Sequence, residues 1–381
     1  MHTSEVLART QPKLEHIESL RTSTPETISP GMALDGRSSS RVQLYNIQKS
    51  GLLDLRKCII AGLQSTPKTM PSLLLWDDQG LSNFDAWTND PAYYPKRCEW
   101  EILRKYGTDM AGQLPANSAL IELGCGNLSK TAWLLANIAK EHRHLLYYAL
   151  DVSEDALYTN LGDLKKQFAA SHHIQISGLV GTYSDCAKWL ANCPPLPVST
   201  VTFLWLGNSI ANMTRDNASA LMGQLQAACA KMSVDCNFLI SADGCQVEDR
   251  ILKTYDPVNE PSRVFLFHGL HHANRLLGQV AFKEAEWDAI PEWDKEENEL
   301  RYYYAPKRDI HLEFGGLRIG LKKGEPVYYF MSGKWSETQI ASIASKAGLS
   351  VGKIWKDVHD EYGEYFETIT LHFVPYIKIP I

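Results

Sequence analysis

The chain has 381 residues, of which 44% are hydrophobic and 22% are charged, and its formal net charge is -6. This composition is typical of a globular protein, and the length suffices for one large domain or two ordinary ones. The acidic balance argues against a nucleic-acid-binding protein, which would usually be basic. The sequence contains no run of roughly 18 apolar residues and no apolar core of a secretory signal near Met1. We therefore expect a cytoplasmic protein that binds neither nucleic acid nor membrane.

The cysteine and histidine patterns do not favour a metal site. The eight cysteines are scattered and form no CxxC pair, which predicts free thiols rather than disulfides. The twelve histidines include the adjacent pairs His172–His173 and His271–His272, but none has the HExxH spacing. We expect no metal.

The first hundred residues change in character along the chain. Residues 1–40 are rich in Ser, Thr, Pro, Gly and Arg, which predicts a flexible segment. The run VQLYNI from Val42 is a candidate strand, and residues 51–64 have helical apolar spacing. A dense aromatic group follows within residues 71–105: Trp76, Phe84, Trp87, Tyr93, Tyr94 and Trp100.

Between about residues 97 and 243, apolar strand patterns alternate with helical patterns. The predicted strands are 118–124, 144–153, 174–183, 201–213 and 236–244. The predicted helices are 128–142, 154–170 and 217–232. Alternating units of this length predict an α/β fold with a parallel, doubly wound sheet and helices on both faces.

The alternation stops after residue 244. A helical stretch near residues 268–280 and hairpin-like runs near 310–330 follow, then a helix and turn over 338–357 and a strand pattern from Tyr362 to Val374. The simplest account has two domains. A doubly wound domain comprises 97–243 and 333–381, and a second, α+β domain comprises 41–96 and 244–332.

The most informative string is the run Ile121–Asn127, IELGCGN, in which a buried strand ends in a GxG turn. Glycine lets the backbone approach a ligand closely, so we expect Gly124 and Gly126 in a cofactor loop. Asp151, at the end of the next predicted strand, is placed to take both hydroxyls of a ribose. The third glycine of a dinucleotide loop is missing, which favours S-adenosylmethionine (SAM) over NAD. An ordinary strand–helix turn remains the alternative.

Four ordered motifs carry a resemblance to a known family. They are Trp76–Gly80 with Phe84 and Pro91–Arg97, then LGCGNLSK, Leu206–Asn212, and Val327–Trp335. Together they resemble the histidine-specific SAM-dependent methyltransferases, which include the ergothioneine-pathway histidine Nα-methyltransferases. The chain is most similar to the fungal 4-dimethylallyltryptophan N-methyltransferase-like members. The resemblance covers about residues 71–375 and implies a class I, Rossmann-like methyltransferase fold with a second, substrate-binding domain.

The resemblance also implies roles for individual residues. Asn212 and Tyr255 match the positions that hold the backbone groups of the amino-acid substrate, and Tyr93 matches a tyrosine that faces it. Lys130 matches a lysine of the cofactor loop. Tyr93 and Asn212 are the expected catalytic residues, because uncharged amide and hydroxyl groups can hold and aim the substrate.

Several positions depart from the histidine enzymes. Those enzymes have a glutamate where this chain has Phe330, although Ser332, which also binds the imidazole there, is kept. Trp76 replaces a tyrosine, so the side-chain pocket is expected to be more apolar and to suit an indole or phenol. The family's acidic adenine contact is also replaced, by Thr182 and Tyr183.

The sequence therefore predicts transfer of a methyl group from SAM to the α-amino nitrogen of an aromatic amino acid, with the tryptophan type as the best fit. The sulfonium is already electrophilic, so the protein mainly positions the neutral amine. A histidine Nα-methyltransferase and an inactive SAM-binding subunit are the alternatives. Each of these residues could instead have a purely structural role: Tyr94 and Phe330 as core residues, Lys130 as a solvated helix residue, and Asn212 as a helix cap. We expect a monomer or a homodimer.

Overall fold

The computed structural model describes residues 42–48, 54–140 and 144–369. The expected flexible segment 1–40 lies outside these residues, as do 51–53, 141–142 and 370–374 of the predicted elements. The strands are β1 (Leu44–Asn46), β2 (Lys68–Thr69), β3 (Ser118–Leu123), β4 (Leu145–Asp151), β5 (Ile174–Val180), β6 (Thr200–Trp205), β7 (Asp235–Asp243), β8 (Trp287–Asp294), β9 (Glu299–Pro306), β10 (Ile310–Phe314), β11 (Leu317–Leu321), β12 (Val327–Gly333), β13 (Leu349–Lys356) and β14 (Tyr362–Ile369).

The helices alternate with these strands in the first two thirds of the chain. They are α1 (Leu55–Gln64), α2 (Asp78–Thr88), α3 (Tyr94–Gln113), α4 (Ser129–Ala139), α5 (Glu154–Gln167), α6 (Tyr183–Leu190), α7 (Arg215–Lys231), α8 (Glu248–Thr254), α9 (Glu260–Leu277) and α10 (Glu337–Lys346). Short 3-10 turns cover Ser72–Leu75, Ser209–Asn212 and Glu284–Glu286. Among the described residues, no helix combines the length and the apolarity needed to cross a membrane.

The large sheet has eight strands in the order β1-β5-β4-β3-β6-β7-β14-β13. The first six of these strands are mutually parallel, whereas β14 runs antiparallel to β7, and β13 antiparallel to β14. Every residue of β3 and of β6 is buried, as expected for strands that are covered by helices on both faces. The predicted α/β fold with a doubly wound sheet is confirmed.

The strand order reverses between β3 and β6, and this point positions the site. The chain builds the sheet outward from β3 through β4 and β5, then returns to add β6 on the other side. In open α/β sheets, such a reversal leaves a crevice at the carboxyl ends of the strands. Gly124 and Gly207, which follow β3 and β6, therefore lie at neighbouring strand ends.

A second sheet has the order β2-β12-β9-β8, and β10 and β11 form a separate hairpin. Lys68 and Thr69 pair in parallel with Val327 and Tyr328, which joins the region before residue 96 to the region after 244. The division into two domains stays a prediction. The prediction assigns Leu44–Asn46 to the second domain, but these residues belong to the large sheet, because they pair with β5.

Two predicted elements are wrong in part. Residues 201–213 do not form one strand: β6 ends at Trp205, and Gly207 and Asn208 have φ angles of +74° and +60°. This left-handed backbone turns the chain into the 3-10 turn that ends at Asn212. The predicted helix and turn over 338–357 is also shorter, since Gly348 (φ +78°) ends it and β13 follows.

The centre of the large sheet provides a stability test. Phe203 of β6 and Phe238 of β7 are neighbours in register, and both side chains are fully buried with ring centroids 5.0 Å apart. We expect Phe203→Ala to lower the free energy of unfolding by about 3–5 kcal/mol, because it leaves a cavity. Urea unfolding measures this change. Tyr158→Ala, at a side chain that is 52% exposed, should shift it by less than about 0.5 kcal/mol, and equal losses for both variants would contradict the packing described.

Candidate active site

A large cavity of about 1530 Å³ lies at the carboxyl ends of the central strands and extends to α2 and β12. It is lined by every site residue that the sequence predicted. These are Gly124, Gly126, Lys130, Asp151, Thr182, Tyr183, Trp76, Tyr93, Asn212, Tyr255, Phe330 and Ser332. The structure thus brings together residues from the large sheet, the second sheet and the aromatic segment.

The glycine turn after β3 is held by the acidic residue at the end of β4. Gly124 and Gly126 have φ angles of +75° and +54°. The Asp151 carboxylate accepts hydrogen bonds from the backbone N–H groups of Val152 at 2.8 Å and of Gly126 at 3.4 Å. Burial raises the pKa of Asp151, although these backbone donors act in the opposite direction. The carboxylate is therefore fixed in place beside the loop, and it lines the cavity.

Tyr183 lies directly against the same loop. A Cβ atom added to Gly124 would approach the Tyr183 hydroxyl to 2.7 Å, so this position needs glycine for space as well as for its φ angle. Burial raises the pKa of Tyr183 to about 12. Thr182 is the N-cap of α6 and forms a capping box with Asp185. The Asp185 carboxylate is used by this cap, and Asp185 is not among the cavity-lining residues.

A buried carboxylate on α3 connects residues that follow two neighbouring strands, β3 and β6. Glu99 is 2% exposed, and its Oε2 atom lies 2.7 Å from the Lys130 ammonium. Its Oε1 atom accepts hydrogen bonds from the Gly207 N–H and from the Ser241 hydroxyl, both at 2.7 Å. Lys130 is therefore not a solvated helix residue, because a buried partner holds it at the cavity wall.

Helix α2 lies against the glycine loop and the residues that follow β4. The Asn127 amide donates to Asp85 at 2.6 Å, and the Ser153 hydroxyl donates to Asp78. Asp77 is the N-cap of this helix and accepts from the Gly80 N–H at 2.8 Å. The aromatic side chains of α2 are thereby held over the cofactor loop.

The part of the cavity below α2 is aromatic. Trp76 packs against Phe84 and Phe265, with ring centroids 5.2 Å and 5.3 Å apart. Phe265 in turn contacts Phe330, whose side chain is 4% exposed, at 6.3 Å. These aromatic side chains form an apolar wall, which suits a flat apolar side chain. Phe330 is therefore a core residue that also lines the cavity.

Polar groups form the floor beside this aromatic wall. The Tyr255 hydroxyl accepts a hydrogen bond from the Lys334 ammonium at 2.9 Å, and the Ser332 hydroxyl accepts one at 3.0 Å. Lys334 is fully buried and forms an ion pair with Asp243 at 2.9 Å. Tyr94 donates to Asp243 at 2.6 Å, so the alternative that Tyr94 is a core residue with a satisfied hydroxyl is confirmed.

Tyr93 and Asn212 lie between the two halves. Tyr93 is 8% exposed and precedes α3; burial, followed by Tyr255, raises its pKa well above the ordinary value, so its hydroxyl stays protonated. Asn212 ends the 3-10 turn and lines the cavity. It does not cap the next helix, because the Thr214 hydroxyl accepts from the Asn217 N–H instead.

Four residues of the site were not predicted from the sequence: Glu99, Asn208, Phe265 and Lys334. The signal for Lys334 was present, since Phe330, Ser332 and Lys334 alternate along one extended segment and therefore share a face. Asn208 lies inside a quoted motif, and its side chain bonds Ser332 and the backbone of Asp243. Glu99 and Phe265 gave no local signal, because their partners lie far along the chain.

One group of possible metal ligands occurs among the described residues, formed by Asp77, His268 and His272. The Asp77 carboxylate already caps α2, contacts His268 and binds the Arg275 guanidinium at 2.5 Å. His272 contacts the backbone oxygen of Leu74 at 3.0 Å. These contacts give the group a role in fastening α2 to α9, and the expectation of no metal stays a prediction.

Three characterised fungal proteins illustrate what the chain is similar to. An N-methyltransferase, dtpB, of Aspergillus flavus is 39% identical over 310 residues, which cover 81% of this chain and 87% of that protein. A 4-dimethylallyltryptophan N-methyltransferase, easF, of Epichloe festucae var. lolii is 29% identical over 82% of this chain and 96% of that protein. Ergothioneine biosynthesis protein 1 of Neurospora crassa is 32% identical over 78% of this chain and 33% of that protein.

The family model described as "Histidine-specific methyltransferase, SAM-dependent" matches residues 55–368. This range includes the glycine loop, the aromatic wall and the polar floor. The fold is a class I SAM-dependent methyltransferase fold, and the chain is an enzyme that transfers a methyl group from SAM to nitrogen. The chain belongs to the histidine-specific, SAM-dependent methyltransferase family.

Proposed function

We propose that this N-methyltransferase acts on the α-amino nitrogen of an aromatic amino acid or a close derivative, with a tryptophan-type substrate such as 4-dimethylallyltryptophan as the best fit. The observation that carries the proposal is the aromatic wall. Phe330 stands where the histidine enzymes have a carboxylate, and Trp76, Phe84 and Phe265 surround the same space. A relative with 29% identity is named for 4-dimethylallyltryptophan, which agrees with this choice.

The cofactor half of the cavity is suited to SAM. Gly124 and Gly126 would let the backbone lie close to the cofactor, and Asp151 would accept hydrogen bonds from the ribose hydroxyls. Lys130, held by Glu99, would face the carboxylate of the methionine part. Thr182 and Tyr183 would lie beside the adenine. When bound, SAM supplies an electrophilic methyl group, so the remaining chemistry is positioning.

The substrate half would aim the amine. Asn212 and Tyr255 would hold the backbone groups of the amino acid, while Tyr93 would face the nitrogen. The raised pKa of Tyr93 argues against a tyrosinate base. The amine would therefore lose its proton to solvent or to a water molecule, and the Tyr93 oxygen would orient the lone pair.

Location and assembly complete the proposal. The eight cysteines lie within the described residues and carry free thiols, which agrees with a cytoplasmic enzyme. The substrate is a small molecule, and the large cavity of a single chain contains all the proposed site residues, so a monomer or a homodimer would suffice.

The cofactor role of Asp151 can be tested directly. We expect Asp151→Asn to weaken SAM binding by about 10- to 100-fold, because hydrogen bonds to a charged acceptor contribute about 1.5–3 kcal/mol. Isothermal titration calorimetry with SAM measures the effect. Asp163→Asn, an exposed carboxylate on α5, is the matched control. An unchanged affinity for the Asp151 variant would remove it from the ribose site.

The role of Phe330 can be tested by restoring the family's glutamate. We expect Phe330→Glu to reduce kcat/KM for an indole amino acid by about 100-fold, because a carboxylate without partners disfavours an apolar ring. Phe330→Leu, which keeps the wall apolar, should lose less than about tenfold. SAM affinity should stay unchanged in both variants. Equal losses would mean that Phe330 only fills the core.

The function itself is tested by incubating the purified chain with SAM and single amino acids. The panel contains tryptophan, 4-dimethylallyltryptophan, tyrosine, phenylalanine and histidine, and mass spectrometry reads the products. Methylation of an indole or phenol substrate, with histidine inert, is expected. Methylation of histidine alone would favour the histidine Nα-methyltransferase. SAM binding without any methylated product would favour an inactive subunit or a different nitrogen acceptor.

A further inference from the structure

Lys334 is a fully buried cation whose three donors each have an acceptor. Its ammonium lies 2.9 Å from Asp243 Oδ2, 2.9 Å from the Tyr255 hydroxyl and 3.0 Å from the Ser332 hydroxyl. Burial lowers the pKa of Lys334, but Asp243 and Tyr255 outweigh it, and the net shift is upward. The side chain is therefore a fixed ammonium that only donates hydrogen bonds.

This ammonium determines what the two hydroxyls can do. The Ser332 oxygen accepts from Lys334 and also from the Asn208 amide at 3.4 Å. The orientation of that amide is set, because its oxygen accepts from the Asp243 N–H at 2.9 Å. With both lone pairs of Ser332 engaged, its proton must be donated elsewhere. The Tyr255 oxygen likewise accepts from Lys334, so its proton is also directed away from the ammonium.

The two hydroxyls lie side by side on the cavity surface. Their oxygens are 3.4 Å apart, and both residues line the cavity. The Tyr255 hydroxyl is also hydrogen-bonded to Tyr93. Each of the two hydroxyls can donate to a neighbouring hydroxyl or, more strongly, to a ligand that offers two acceptor oxygens. A carboxylate has such a pair of oxygens, and hydrogen bonds to a charged acceptor are stronger than those between neutral groups.

We propose that Lys334 is a positioning residue that makes Tyr255 and Ser332 paired donors for the free carboxylate of the substrate. This inference rests on the proposed function and deepens it, because it requires the aromatic substrate to carry an unmodified carboxylate. It also gives Ser332 a role on the carboxylate side of the cavity instead of the ring side. Asp243 offsets the charge of Lys334, so the floor attracts the carboxylate through oriented hydroxyls rather than through net charge.

The test compares an amino acid with the amine that lacks its carboxylate. The wild-type enzyme should prefer tryptophan, or the panel amino acid that it methylates best, over the corresponding decarboxylated amine. We expect Lys334→Met to reduce this preference, measured as a ratio of kcat/KM values, by about 10- to 100-fold. SAM affinity should change little, and kcat/KM for the amine should fall less than kcat/KM for the amino acid. Lys353→Met, at an exposed ion pair, is the matched control.

Lys334→Met could prevent folding, because it leaves Asp243 buried without its cation. Two milder substitutions test the same proposal in that case. Ser332→Ala and Tyr255→Phe each remove one hydroxyl and should each lower the preference by about 3- to 10-fold. Tyr158→Phe, on the exposed face of α5, is their control. An unchanged preference in all these variants overturns the proposal and makes Lys334 a structural residue.

The two proposals fail in different ways. If the wild-type enzyme methylates none of the amino acids, the proposed function fails and the carboxylate site fails with it. If the wild-type enzyme methylates an amino acid but every variant keeps the preference over the amine, only the role of Lys334 is overturned. A uniform loss for both substrates and for SAM binding also overturns it, because it indicates damage to the fold.

Discussion

The buried carboxylate of Glu99 connects the parts of this site. It lies on α3, yet it bonds Lys130 of α4, the backbone after β6 and Ser241 of β7. A buried carboxylate is costly unless it has a cation and further donors, and Glu99 has both. The loops on each side of the strand-order reversal are therefore fixed relative to α3. Tyr93, which precedes that helix, and Tyr94, which begins it, are fixed with them.

The second sheet gives the cavity its chemical contrast. Phe330 and Ser332 lie two residues apart on one face of β12. Phe330 contributes to the aromatic wall, and Ser332 contributes to the polar floor. The aromatic wall makes one end of the cavity apolar, while Lys334 and Asp243 form a neutral, fully buried pair beneath the other. A ligand with a flat apolar ring and a polar backbone would match both ends, whereas an imidazole would meet no charged partner at Phe330.

Parts of this arrangement could be predicted from the sequence because their signals are local. The strand–GxG–helix pattern and the acidic end of the next strand identified Gly124, Gly126 and Asp151, and the structure places them together. The turn at Gly207 and Asn208 was missed, although glycine and asparagine are the residues that most readily adopt positive φ. The apolar residues on both sides of this pair favoured the prediction of one continuous strand. Lys334 and Tyr255 are 79 residues apart, and only the fold, which brings the residue after β12 next to the residue after α8, reveals their contact. Long-range partners of buried charges remain the hardest features to predict from one sequence.

We propose that one cavity holds SAM at the glycine loop and an aromatic amino acid between the aromatic wall and the polar floor. A crystal structure with S-adenosylhomocysteine and tryptophan would show both positions at once. We expect the ribose at Asp151, the indole against Trp76 and Phe330, and the amino group near Tyr93. An indole bound outside this wall, or an amino group turned away from the sulfur of the cofactor product, would contradict it.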